Sequence, residues 1–125
     1  MKLREIRDIL DAELITVDAN LDKEIKYVNA ADLISDVLAY STGPGALLIT
    51  GIVHSQVIYA ANTIELGAIL FVRGKRPNEA TLQLAVENHI PLLTTRYIMF
   101  ETCGRLYQLG MRACIEKVKN ERGGK

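Results

Sequence analysis

Tryptophan is absent from this chain of 125 residues, cysteine occurs twice, proline three times, and the fifteen basic side chains are cancelled by fifteen acidic ones. Without a surplus of positive charge the whole-molecule field offers no argument for nucleic acid or for an anionic membrane surface. Two cysteines cannot form a disulfide framework. If Cys103 and Cys114 shared one continuous helix they would lie roughly 16 Å apart at about 1.5 Å per residue, beyond the Cα separation of about 7 Å that a disulfide tolerates. His54 and His89 fall in other elements, so no zinc site and no cofactor is expected. Long apolar runs are also missing: Asn62 and Glu65 interrupt the longest stretch, around residues 57–72, before it reaches the roughly 18 to 20 residues that span a bilayer. The first eight residues are charged throughout and carry no apolar signal core, which makes a soluble, cytoplasmic protein the expectation. Nucleotide fingerprints are missing too. Gly74-Lys75 lacks the upstream glycine and the following Ser or Thr of a P-loop, and Gly43-Pro44-Gly45 lacks the third glycine of a dinucleotide motif.

What is present is a hydrophobic fraction of 49%, enough for one packed core. Three short apolar runs, Ala46-Leu47-Leu48-Ile49-Thr50, Ala68-Ile69-Leu70-Phe71-Val72 and Pro91-Leu92-Leu93-Thr94, end at evenly spaced points. Each is followed by a helical pattern, the signature of successive βα units. Ser55 can cap a helix that turns Val57, Ile58, Ala61 and Ile64 inward, with Gly67 as its left-handed terminator. Pro77 and Asn78 open a second helix burying Leu82, Ala85 and Val86, and Met99, Cys103, Leu106 and Tyr107 mark a third that stops before Gly110. Upstream, Leu3, Ile6, Ile9 and Leu10 predict a helix ending near Asp11, and Leu14-Ile15-Thr16-Val17 a strand. Ile25, Tyr27 and Val28 suggest another strand. A helical stripe then runs through Leu33, Ile34, Val37 and Leu38, capped by Asn29 or Asp32. The fold class expected is α/β, a three-layer-like open sheet, mainly parallel, with helices packed on it. Residues 1–115 form one domain in this reading, and residues 116–125 a polar tail.

Right-handed crossovers place all three strand-to-helix loops on one sheet edge, and open α/β sheets bind ligands outside the carboxyl ends of their strands. Arg73-Gly74-Lys75-Arg76 puts three cations around a glycine ahead of a helix start, a candidate anion site; its alternative is a solvated turn with Glu79 as counter-charge. Thr50-Gly51 and Thr94-Thr95-Arg96 flank it and can supply hydroxyl donors and close backbone approach, or simply caps and turns. His54 can contact an anion or remain structural. The candidate ligand set is therefore Thr50, Gly51, His54, Arg73, Gly74, Lys75, Arg76, Thr94, Thr95 and Arg96. Asp32 and Asp36 are read as a solvated helix face with a cap and are given no catalytic role. His89 reads as a helix-exit residue.

Gly45-Ala46-Leu47-Leu48-Ile49-Thr50-Gly51, then Gly67-Ala68-Ile69-Leu70-Phe71-Val72-Arg73-Gly74, then Ile90-Pro91-Leu92-Leu93-Thr94-Thr95-Arg96-Tyr97 together resemble a DRTGG domain over nearly the whole chain. This regulatory module occurs beside the catalytic domain of some phosphate acetyltransferases and between the CBS domains of some pyrophosphatases. The resemblance implies a fold similar to the amino-terminal domain of HPr kinase and of the Mur ligase type, and regulation or ligand sensing rather than catalysis. The chain departs from the family at its name-giving positions, with Val53-His54 in place of the Asp-Arg pair and Val72-Arg73-Gly74 in place of Thr-Gly-Gly. Any nucleotide site must then be argued from Arg73, Lys75 and Arg76. Family habit, with small helix residues such as Ala60, Ala61 and Ala85, implies a homodimer. Short members near iron-hydrogenase genes suggest the alternative, an accessory subunit docking on a redox enzyme without a small-molecule ligand. An enzyme using His54 with Asp32 or Asp36 is a third reading.

Overall fold

The computed structural model describes residues 1–41 and 43–119. The three apolar runs form β3 (Leu47–Thr50), β4 (Ala68–Phe71) and β5 (Leu92–Thr94), every residue of them buried. They pair in parallel, Leu47 opposite Ala68 and Ile69 opposite Leu92. β2 (Val28–Ala30) adds a parallel edge beside β3, and β1 (Glu13–Leu14) an antiparallel edge beside β5, giving the order β1-β5-β4-β3-β2. Five helices complete the chain: α1 (Leu3–Ile9), α2 (Ile34–Tyr40), α3 (Ser55–Thr63), α4 (Glu79–Glu87) and α5 (Met99–Gln108).

Alternation along the strands divides the core in two. Leu48, Ile69, Phe71 and Leu92 point to the face covered by α2, α3 and α4, where Val37, Val57, Ile58, Ala61 and Ala85 meet them. Leu47, Ile49, Leu70 and Leu93 point to the other face, against Leu3, Ile6 and Leu10 of the α1 segment and Leu106 of α5. A parallel sheet covered on both sides needs apolar residues at every position, which is why these strands appear in the sequence as unbroken runs. Each fully buried Leu or Ile contributes about 1.5–3 kcal/mol relative to exposure.

Several local expectations shift. β1 is shorter than the run 14–17 because Thr16 leaves the ladder, its hydroxyl accepting from the Leu92 amide at 3.0 Å. The second strand begins later than Ile25: that side chain is buried under α1, and regular pairing starts once the Tyr27 carbonyl has accepted from the Leu47 amide. Leu33 and Leu38 are exposed, and only Val37 of that stripe is buried within α2. Leu33 itself takes the α2 cap position, so neither Asn29 nor Asp32 caps it; His54, not Ser55, precedes α3. The left-handed residue after α3 is Glu65. Gly67 serves a different need, because a Cβ there would lie 2.9 Å from the Gly45 carbonyl oxygen. Val86 and Tyr107 face solvent, whereas Ala60, Ala61 and Ala85 are buried in the core. Both cysteines are free, and Cys114 lies beyond the end of α5 rather than on it. Of the polar tail, residues 116–119 are exposed and non-helical, and residues 120–125 lie outside the described residues.

The two glycines with opposite surroundings give a paired prediction. Gly67→Ala forces a backbone contact and should lower unfolding free energy by about 1–3 kcal/mol. Gly104→Ala, in an exposed helix interior with nothing near its Cβ position, should raise it by about 0.5–1 kcal/mol. Urea midpoints that move in the same direction for both would contradict this packing.

Candidate functional site

The loops after β4 and β5 separate: the chain after β4 enters α4 on one face, and the chain after β5 enters α5 on the other. Adjacent strands whose helices go to opposite faces leave a crevice at their carboxyl ends. Here the two loops are tied directly to each other. The Arg73 amide donates to the Tyr97 carbonyl at 2.9 Å, the Gly74 amide to the Thr95 carbonyl at 2.8 Å, and the Thr94 hydroxyl to the Lys75 carbonyl at 2.8 Å. Arg73 and Gly74 both adopt left-handed backbone, φ 59° and 69°. For arginine this costs roughly 1–2 kcal/mol, and it persists because the cross-loop bonds hold the turn.

Gly51, at the end of β3, is the point of convergence. A Cβ placed there would lie 3.2 Å from a guanidinium nitrogen of Arg73, 3.4 Å from a carboxylate oxygen of Asp32 and 3.9 Å from Cδ of Lys75. The missing Cβ therefore lets the Arg73 guanidinium, the Asp32 carboxylate and the aliphatic chain of Lys75 pack onto the Gly51 backbone, which is buried. Asp32 follows β2 and accepts from the Gly51 amide at 2.7 Å and the Thr50 hydroxyl at 3.3 Å, and the Thr50 hydroxyl in turn accepts from the Ile52 amide at 3.0 Å. One carboxylate thus clasps the end of β2 to the turn after β3. On the neighbouring loop, Arg96 Cγ lies 4.0 Å from the Cβ position of Gly74.

Of the ten candidates, the structure brings Thr50, Gly51, Arg73, Gly74, Lys75 and Arg96 into one cluster. Thr94 and Thr95 stand next to it, but their hydroxyls are engaged internally, Thr95 donating to the Leu10 carbonyl at 2.7 Å. Arg76 turns away to a bidentate pair with Glu13 at 2.9 and 3.0 Å; the counter-charge is Glu13, not Glu79. The hydrogen bond and charge of Arg76 hold the Glu13 carboxyl below its usual range. The α4 start is occupied by its own cap, Asn78 accepting from the Thr81 amide at 2.9 Å, with Glu79 in the first turn. The positive charge gathered at these loops is thus that of side chains rather than of that helix end. His54 is exposed at the start of α3, and among the described residues no hydrogen bond joins it to Asp32 or Asp36. Asp32, expected as a helix cap or a solvated face, is instead this clasp, and no local signal marks it because its partners lie 18 and 19 residues further along the chain.

Residues 5–109 match the DRTGG domain, and the chain belongs to that family. Its fold is similar to the crystal structure of the CBS and DRTGG domains of the regulatory region of Clostridium perfringens pyrophosphatase, complexed with its activator diadenosine tetraphosphate. The TM-score is 0.65 at 18% sequence identity, over 94% of this chain and 53% of that one. The chain thus spans about half the length of that structure. No curated protein matches the chain.

Removing the clasp should cost stability. Asp32→Ala deletes the acceptor of the Gly51 amide and should lower unfolding free energy by about 1.5 kcal/mol, the low end for a bond to a charged group because Asp32 is solvent-exposed. Asp32→Asn, which keeps a side-chain oxygen, should lose less. Equal urea midpoints for wild type and Asp32→Ala would show that the clasp contributes nothing.

Proposed function

We propose that this DRTGG domain is a non-enzymatic regulatory module that senses an anionic ligand, a nucleotide or related phosphate ester, at the carboxyl edge of β3, β4 and β5. The observation that carries the reading is the convergence of Arg73 and Lys75 on the Gly51 backbone. Neither cation is in an ion pair among the described residues, while Arg76 beside them already has one. A guanidinium and an ammonium carried on one turn suit phosphate oxygens by charge and by hydrogen bonding. The regulatory region of the similar pyrophosphatase structure is complexed with a dinucleoside tetraphosphate, which supports the same ligand class here.

A separate observation favours protein docking as a second reading. Phe100 is 84% exposed and Tyr107 61% exposed on α5, with Ile98 and Leu109 exposed at its two ends. Phe100 and Tyr107, seven residues apart, share one side of the helix, and an exposed aromatic pair there suits a second copy of the chain or an accessory role on a partner enzyme.

Thermal unfolding against ATP, diadenosine tetraphosphate, AMP and inorganic phosphate tests the first reading. A ligand at about 100 times its Kd should stabilise by about 2.7 kcal/mol, a rise of several degrees that Arg73→Ala abolishes. No rise with any of the four, or an equal rise in Arg73→Ala, would overturn the assignment. Light scattering tests the second: a two-chain mass that falls to one chain in Phe100→Glu supports self-association through α5, and a one-chain mass for wild type contradicts it.

A further inference from the structure

Beside β1 and β5 lies a groove of about 570 Å³, between α4 and the segment that follows β1, whose lining shares no residue with the cation cluster. Its size falls within the range of small-molecule sites. The wall formed by residues 15–20 is fixed in place: the Ile15 amide donates to the Leu92 carbonyl at 2.8 Å, the Leu92 amide to the Thr16 hydroxyl at 3.0 Å, and the Ala19 amide closes a turn on the Thr16 carbonyl at 2.9 Å. The floor is apolar, with Ile15, Leu82, Ala85 and Ile90 from the core and Val86 standing half-exposed on α4.

The polar groups of this groove differ in one respect that matters. Asp18 and Glu79 are exposed and remain hydrated, whereas Lys23 is half-buried and, among the described residues, enters no ion pair. Burial without a counter-ion lowers the Lys23 amine from its usual value. An incoming anion would restore to that amine the partner it lacks. A ligand able to use both the floor and this charge has an apolar tail and a single negative head.

We propose that the groove between α4 and residues 15–20 binds a small amphipathic monocarboxylate, its tail against Leu82 and Val86 and its carboxylate at Lys23. This site is independent of the Arg73 cluster and does not rest on the phosphate reading.

Octanoate is the probe, with octanol and octylammonium as controls of the same tail, followed by amide chemical shifts of the full chain. Octanoate should shift the amides of residues 15–20 and of α4 in a saturable way, at least tenfold more tightly than octanol. Lys23→Gln should reduce octanoate affinity at least tenfold while Lys23→Arg retains it, and Val86→Trp should block the groove. Arg73→Ala should bind octanoate as wild type does, which separates this site from the phosphate site. Absence of saturable shifts with octanoate, octylammonium binding as tightly as octanoate, or Lys23→Gln binding unchanged would each overturn the proposal.

Discussion

The parallel pairing of β3, β4 and β5 with apolar side chains on both faces is the constraint from which the rest of the molecule follows. Because Leu47, Leu48, Ile49, Ile69, Leu70 and Leu92 are all buried, a slip of one residue in any strand would exchange the two cores and leave neither filled. Register is thereby fixed, and with it the position of every strand end. Thr50 stands opposite Phe71, and Phe71 opposite Thr94, so the turns that follow them emerge side by side. A sheet built for packing thus presents three loops along one line.

On that line the structure accepts local cost. Arg73 holds a left-handed backbone that side-chain-bearing residues avoid, and it does so while its amide is bonded to the neighbouring loop. Among the described residues neither Arg73 nor Lys75 forms an ion pair, and the one carboxylate beside them, Asp32, is bound to the Gly51 amide and the Thr50 hydroxyl. Arg76 shows that pairing was available a few residues away. A strained left-handed turn held by cross-loop hydrogen bonds is the local cost on which the proposed anion site rests.

The three central strands were legible from sequence because burial on both faces leaves a continuous apolar run, which no polar alternation can disguise. The edge strands were harder. β2 contains the buried Asn29, which donates to the Cys114 sulfur at 3.5 Å, so polarity there did not mean solvent. Misplacing that strand by two or three residues turned Asp32 from a strand-end clasp into a helix cap. The cluster of basic residues after β4 was equally plain, yet its division was not: Arg76 finds Glu13 and Asp32 finds Gly51 through contacts between distant parts of the chain that only the fold creates. The threonines of the edge loops were legible as positions but not as roles, since their hydroxyls hold loops together rather than facing the crevice.

The DRTGG family assignment and the α/β architecture agree with one another, and the functional account rests on the strand-end cluster within them. The most direct measurement is a backbone amide map of the full chain during titration with diadenosine tetraphosphate. The account predicts saturable shifts confined to Gly51, Arg73, Gly74, Lys75 and the turn at Arg96. Shifts absent at those amides, or centred on another part of the molecule, would contradict it.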